Sequence, residues 1–155
     1  MKRVVYDTML FFQAAAQQPP RLHGTFQAID ARKVQLCMSQ DLFDEIVDVL
    51  GRPEFLEQAP HFTPDRAARF FAKIKSVSIW IDRVPDAFTL PDHSKDDHLF
   101  NLSIALHADR LVTWEKRLLA LEESDSADGQ RLRLLALSLH IVTPAELLAE
   151  LKSEA

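Results

Sequence analysis

The order of short β-rich runs and longer helical patterns constrains this chain more than any other feature. Apolar, β-branched runs at 3–6, 34–37, 77–81, 110–112 and 140–142 read as strands. Between them, helical periodicity covers 9–17, 24–31, 39–50, 64–75, 97–108, 116–121 and 129–138, with a last stretch at 145–152. Strands separated by helices feed a parallel sheet, because a parallel pair needs a long crossover instead of a hairpin turn. The spacing therefore predicts an α/β sandwich of three layers, a central parallel sheet of four or five strands with helices on both faces. At 155 residues and 47% hydrophobic content, residues 1–155 can bury one sizeable core as a single domain.

Local signals mark several helix ends. Thr63-Pro64 and Thr143-Pro144 each place a side-chain acceptor at a cap and a proline in the first turn, where a missing N–H costs nothing. Thr143 with Glu146 has the spacing of a capping box, and so has Ser94 with Asp97. Gly51-Arg52-Pro53 stops the helix before it. Residues 82–95 read as a long loop with few apolar anchors, and the acidic, small-residue stretch 122–129 as a mobile connection.

Composition excludes several classes. A formal net charge of -5 leaves no global basic field for unselective duplex binding. Nucleic-acid contact would fall to local groups such as Arg32-Lys33, Lys73 and Lys75, whose plainer reading is solvated surface. With 3 glycines there is neither a phosphate-cradling loop nor a dinucleotide fingerprint. The one cysteine, Cys37, forms no internal disulfide and lies in an apolar strand, where it acts as a small hydrophobe. The charged start Met1-Lys2-Arg3 runs directly into a strand, and no run is long enough to cross a bilayer. The expectation is a cytoplasmic protein with no membrane partner.

Four scattered acids sit where such a fold brings residues to one edge of its sheet. Asp7 directly follows the first strand, at the carboxyl end where parallel sheets build sites, and it also suits the cap of the next helix. On the helix 42–50, Asp44 and Asp48 fall opposite the apolar stripe, while Glu45 falls on its border beside Leu42 and Val49. Asp97, Asn101, Ala105 and Ala108 form the one small-and-polar stripe of an otherwise apolar helix. An acid and an amide one turn apart there look like ligand, or ligand plus orienter, with Asp96 as the solvated neighbour. Glu115 follows the fourth strand, where the dipole of the next helix also favours an acid and Thr113 suits its cap. Carboxylates gathered in this way suit a hard divalent cation, which takes oxygen ligands and keeps much of its water.

Other chemistries find less support. The histidines have no zinc spacing; His93 and His98, flanking Asp97, read as surface groups. No Ser/His/Asp arrangement suggests itself, and Met9 occupies the place where an aspartyl-phosphate enzyme would carry its second acid. Trp80 and Trp114 could stack on bases, but core packing is the commoner role for tryptophan in strands and helix starts and is the expectation for both.

Taken together, certain blocks resemble the PIN-domain family, specifically its toxins of toxin–antitoxin systems. They are Val4-Val5-Tyr6-Asp7-Thr8, the run from Leu36 through Glu45 to Phe55, the run from Lys95 through Asp97, Asn101 and Thr113 to Leu119, and the tail Ile141 to Leu148. The resemblance implies a PIN-like sandwich and a Mg²⁺- or Mn²⁺-dependent endoribonuclease that hydrolyses RNA as a homodimer, with an antitoxin protein as partner. It places the acidic site on Asp7, Glu45, Asp97 and Glu115, with Thr8, Asn101 and Thr113 in support. In the implied mechanism Asp7 and Asp97 hold the metal, Glu45 places or deprotonates the attacking water, and Glu115 assists. Met9 stands where the family commonly has asparagine, and Thr113-Trp114-Glu115 replaces a more usual Thr-Gly-Asp or Thr-Arg-Asp. Those departures support a second expectation, a catalytically degenerate PIN-like module that binds a protein partner.

Overall fold

In the computed structural model, residues 1–17, 24–92 and 94–154 are described. Five parallel strands form one sheet in the order β3-β2-β1-β4-β5: β1 Lys2–Tyr6, β2 Val34–Ser39, β3 Ser78–Ile81, β4 Arg110–Val112 and β5 His140–Val142. Register is set by pairs such as Val4 with Leu36 and Tyr6 with Val112. The inner strands are apolar because both faces are covered: Val4, Val5, Tyr6, Leu36, Cys37 and Met38 are fully buried. Burial pushes the Cys37 thiol up to about 11, so it stays protonated and inert, as its apolar neighbours predicted.

Helices flank the sheet: α1 Thr8–Ala16, α2 Gly24–Asp30, α3 Gln40–Leu50, α4 Pro53–Gln58, α5 Pro64–Val77, α6 Asp97–Ala105, α7 Lys116–Leu119, α8 Ala127–Leu135 and α9 Pro144–Ser153. Of these, α6 packs over β1, β2 and β4, while α2 packs on β2 and α9. Tyr6, Phe11 and Phe26 make an edge-on cluster, and the buried Tyr6 hydroxyl donates to Thr25 O at 2.7 Å. Thr63 caps α5, and Thr143 with Glu146 closes the predicted capping box on α9.

The expected stop at Gly51-Arg52-Pro53 holds, with Gly51 as the C-cap of α3, and Pro53 also opens α4, because proline fits the first turn of a helix. Four other local expectations are corrected. Ser94 does not cap α6: residues Ser94–Asp96 form a 3-10 turn, and Asp96 stands at the N-cap without a side-chain cap bond. That helix ends before 108, where His107 takes a left-handed φ of 52°. The loop 82–95 is anchored after all, since Phe88 and Leu90 are buried and Arg131 lies over the Phe88 ring. The acidic stretch after α7 is likewise engaged. Glu122 accepts from Ile141 N at 2.7 Å on β5, and Ser126 caps α8.

The amino ends of β1 and β4 meet α9. There Glu150 receives Lys2 at 3.1 Å and Arg110 Nε at 2.9 Å. No described helix is long and apolar enough to cross a membrane.

Candidate active site

In this strand order the chain winds away from β1 in opposite directions, so the carboxyl ends of β1 and β4 bound a crevice. Asp7 leaves β1 at this point. Its N–H donates to Val112 O at 3.0 Å, extending the ladder by one residue and fixing the carboxylate at the crevice. It also stands at the N-cap of α1, without a side-chain cap bond.

Thr113, leaving β4, is fully buried and tied to β5 through its N–H on Val142 O. Its hydroxyl accepts from Glu115 N at 3.0 Å. The single hydroxyl proton is therefore free to go to Asp7 Oδ2, 2.8 Å away. Burial nevertheless raises the Asp7 pKa above the usual aspartate value; the Thr113 bond and a backbone bond at Thr8 oppose this, and the charges of Asp96 and Glu45 add to it. Beside it, the buried Thr8 Oγ1 makes no hydrogen bond of good geometry among the described residues, and it faces Glu45 closely enough to help lower that acid's pKa.

Glu45 rises from α3 with its side chain 44% exposed, on the border that the helical wheel gave it. Its Oε2 meets His98 Nε2 at 2.9 Å. This bond, against some burial, holds Glu45 below the usual glutamate range. For His98 burial works to lower the pKa, but the Glu45 bond and charge, with Asp96 and Asp41, outweigh it and raise the value. His98 is thus a half-buried partner of an acid, not the surface group expected, and its buried Nδ1 has no partner among the described residues. His93 lies outside the described residues.

Asp96 departs furthest from its sequence reading. It is half-buried, and burial raises its pKa, opposed by Lys95 and His98 and reinforced by Glu115 and Glu45. So Asp96, expected to be solvated, shares one negative field with Asp7, Glu45 and Glu115. Its neighbour Asp97 accepts from Leu90 N at 2.8 Å through Oδ1, while Oδ2 makes no hydrogen bond among the described residues. Asn101 turns to the loop: Oδ1 accepts from Ala87 N and Phe88 N, and one N–H of Nδ2 donates to Phe88 O. The acid-and-amide stripe therefore clasps residues 87–90 of the loop before α6, and these bonds leave Asn101 its second Nδ2 N–H.

Glu115 is the N-cap residue of α7, exposed, with Oε1 3.2 Å from Arg117 Nε. Among the described residues no three His, Cys, Asp or Glu side chains converge as a closed metal cage. Of the basic groups weighed from sequence, Lys73 pairs with Asp30 at 2.9 Å and Lys75 lies over Phe43, while Arg32 and Lys33 are exposed. Trp80 packs against Phe43 and donates to Asp82, which fits the core-packing reading; Trp114, against the same expectation, is 49% exposed beside the crevice.

Sequence reasoning missed His98 and Asp96. The available signal was an His-Asp neighbourhood at a helix start, but only a tertiary approach of α3 to α6 gives it meaning. No curated protein and no solved structure matches the chain. A family model described as PIN domain matches residues 3–117, from β1 into α7 and across every acid of the crevice, and the chain belongs to the PIN domain family.

Proposed function

We propose that the protein is a Mg²⁺- or Mn²⁺-dependent endoribonuclease of the PIN toxin type, hydrolysing RNA phosphodiesters. PIN domains are generally nucleases and typically use divalent metals. The observation that carries the reading here is Asp7 held at the β1/β4 crevice by the Thr113 hydroxyl, where burial raises its pKa and the charges of Asp96 and Glu45 add to the rise. Negative charge left uncompensated at such a point is what a cation would relieve.

The residues fit a hydrated ion better than a caged one. Mg²⁺ keeps several waters and is commonly held by one or two carboxylates, so two acids are enough to anchor it. Asp7 and Asp97 would hold it: the Leu90 N–H fixes one oxygen of Asp97 and leaves the other open. Asp96 adds charge to the same field, and Glu115 assists from the β4 side. Bound there, the ion would supply Lewis acidity toward the phosphate and a more acidic water.

The chain's own groups prepare that chemistry. The Thr113 hydroxyl stabilises the Asp7 carboxylate against its burial and aims it. His98 keeps Glu45 ionised, so Glu45 serves as an acceptor that orients a water more readily than as a store for its proton. Thr8 Oγ1, buried and facing Glu45, offers one more polar contact beside Asp7.

Single-stranded RNA with Mg²⁺ or Mn²⁺, offered to the wild type and to Asp7→Asn and Asp97→Asn, tests the reading. Cleavage by the wild type that both variants lose is the expected result. Equal cleavage by all three, or none by the wild type in either metal, would overturn it.

One observation favours a second reading, a PIN-like module that binds a protein partner without catalysis. Glu45 and Glu115 already have basic partners, His98 and Arg117, within the chain. Calorimetry separates the two: no heat of Mn²⁺ binding, with a stable complex with an antitoxin-like protein, selects the module. Homodimer formation belongs to the first reading, and a sedimentation mass of one chain at micromolar concentration would contradict it.

A further inference from the structure

The rim of the acidic crevice carries two apolar side chains that the fold does not use. Met9, in the first turn of α1, and Trp114, directly after Thr113, are each 49% exposed. Because β1 and β4 are neighbours, with Tyr6 opposite Val112, these residues follow adjacent strands on either side of the same opening. A tryptophan is well covered on average, so a half-exposed indole beside the acids of a site is a surface that a ligand can use. The Trp114 indole makes no ring contact and no hydrogen bond among the described residues, whereas Trp80 has both. Two residues on, Lys116 is exposed and has no ion pair among the described residues.

We infer that Trp114 is the platform on which an unpaired base of single-stranded RNA stacks, with Met9 as the facing wall and Lys116 meeting an adjacent phosphate. This rests on the nuclease reading of the crevice and names how its substrate is gripped. The charge balance makes stacking the natural means. A chain of net charge -5, whose site is itself acidic, cannot draw RNA in through a broad phosphate-binding surface. Stacking on an aromatic face is indifferent to that field and to sequence, since every base has such a face. It also demands an unpaired base, because a paired one already has its faces covered. Thioether carbon and sulfur at Met9 suit a flat partner of variable shape. The Thr113–Asp7 bond places this platform one residue from the group that would act on the phosphodiester.

The test uses the full chain and a single-stranded RNA of roughly 12 nucleotides, within the span such platforms grip. In a Trp80→Phe background Trp114 is the one remaining indole, and its fluorescence should be quenched as RNA is added. Trp114→Ala should weaken binding and raise KM about 5- to 150-fold with kcat little changed, and Trp114→Phe should restore most of the loss. Annealing the RNA to its complement should abolish the quench. Binding by Trp114→Ala equal to wild type, or a duplex bound as tightly as the single strand, would overturn the inference. Asp7-dependent cleavage that is unchanged in Trp114→Ala sinks this inference and leaves the nuclease reading standing. Trp114-dependent binding without cleavage does the reverse, and neither binding nor cleavage by the wild type removes both.

Discussion

The two ends of one sheet handle charge in opposite ways. At the amino ends of β1 and β4, Lys2 and Arg110 converge on Glu150, so each charge has a partner of opposite sign. At the carboxyl ends of the same two strands, Asp7 faces the charges of Asp96 and Glu45, and Asp96 those of Glu45 and Glu115. One end serves the fold. The other pairs Glu45 with His98 and Glu115 with Arg117. Yet it leaves Asp7 and Asp96 half-buried beside further acids, their pKa values raised, a cost to the fold that a ligand could relieve.

Substitutions on the two ends should therefore separate activity from stability. The largest effect is expected at Asp7: Asp7→Asn should cut RNA cleavage by at least about 100-fold, beyond what loss of a supporting group costs. Thermal unfolding without metal should show Tm unchanged or a few degrees higher, because a charge that burial disfavours has gone. A fall in Tm with cleavage preserved would reverse the comparison.

Thr113→Val comes next. It keeps the shape of the buried side chain and removes the hydroxyl that serves Asp7 and Glu115 N. Cleavage should fall about 10- to 100-fold. The lower limb of the pH–rate profile should move to higher pH, since Asp7 then loses the bond that opposed its raised pKa.

The loop clasp gives a purely structural contrast within a few residues of the acids. Asn101→Ala strips acceptors from Ala87 N and Phe88 N, and should cost about 1–3 kcal/mol by urea denaturation. At the far end Glu150→Gln should cost less than about 1 kcal/mol, because that network is partly exposed, and leave cleavage untouched.

Acid titration of the metal-free protein sharpens the contrast by sign. Glu150 loses charge reluctantly: burial acts to raise its pKa, but Lys2 and Arg110 prevail and lower it. Its contribution is complete above the ordinary glutamate range and is lost as pH falls through the lowered value. Asp7 and Asp96 have raised values, so their ionisation costs stability, which returns as pH falls through those values. Stability curves should show Glu150→Gln losing less than the wild type on acidification, and Asp96→Asn lacking the offsetting gain. Parallel curves for all three proteins would show that the ends do not differ.

Much of the framework was legible in the chain itself. The five strand runs stand within about two residues of the structure's, because an inner strand buried on both faces must be apolar throughout. The α9 capping box and the stop at Gly51 depend on neighbours in sequence and so could be read from it. Short-range signals were incomplete or misleading where two local rules competed. Pro53 suits both a helix stop and a helix start, and Ser94 had the right spacing for a cap that the 3-10 turn does not use.

For the candidate site, sequence determined the types and approximate places: carboxylates after β1 and β4, on the border of α3 and at the start of α6. Their partners came from tertiary structure alone. Asn101 and Asp97 look alike as polar groups on an apolar helix, yet whether they face a ligand or a loop depends on where residues 87–90 return. Asp96 gives no sign in sequence of its surroundings, and only the packing of α6 against β1, β2 and β4 brings it into the field of Glu45 and Glu115. Trp80 within β3 and Trp114 just after β4 are the same residue type, but Phe43 packs on the first while the second is left 49% exposed. Periodicity is a local property, fixed by backbone geometry every two or 3.6 residues. Burial, charge coupling and the state of His98 arise from groups far apart in sequence, and they take values only once the sheet has brought those groups together.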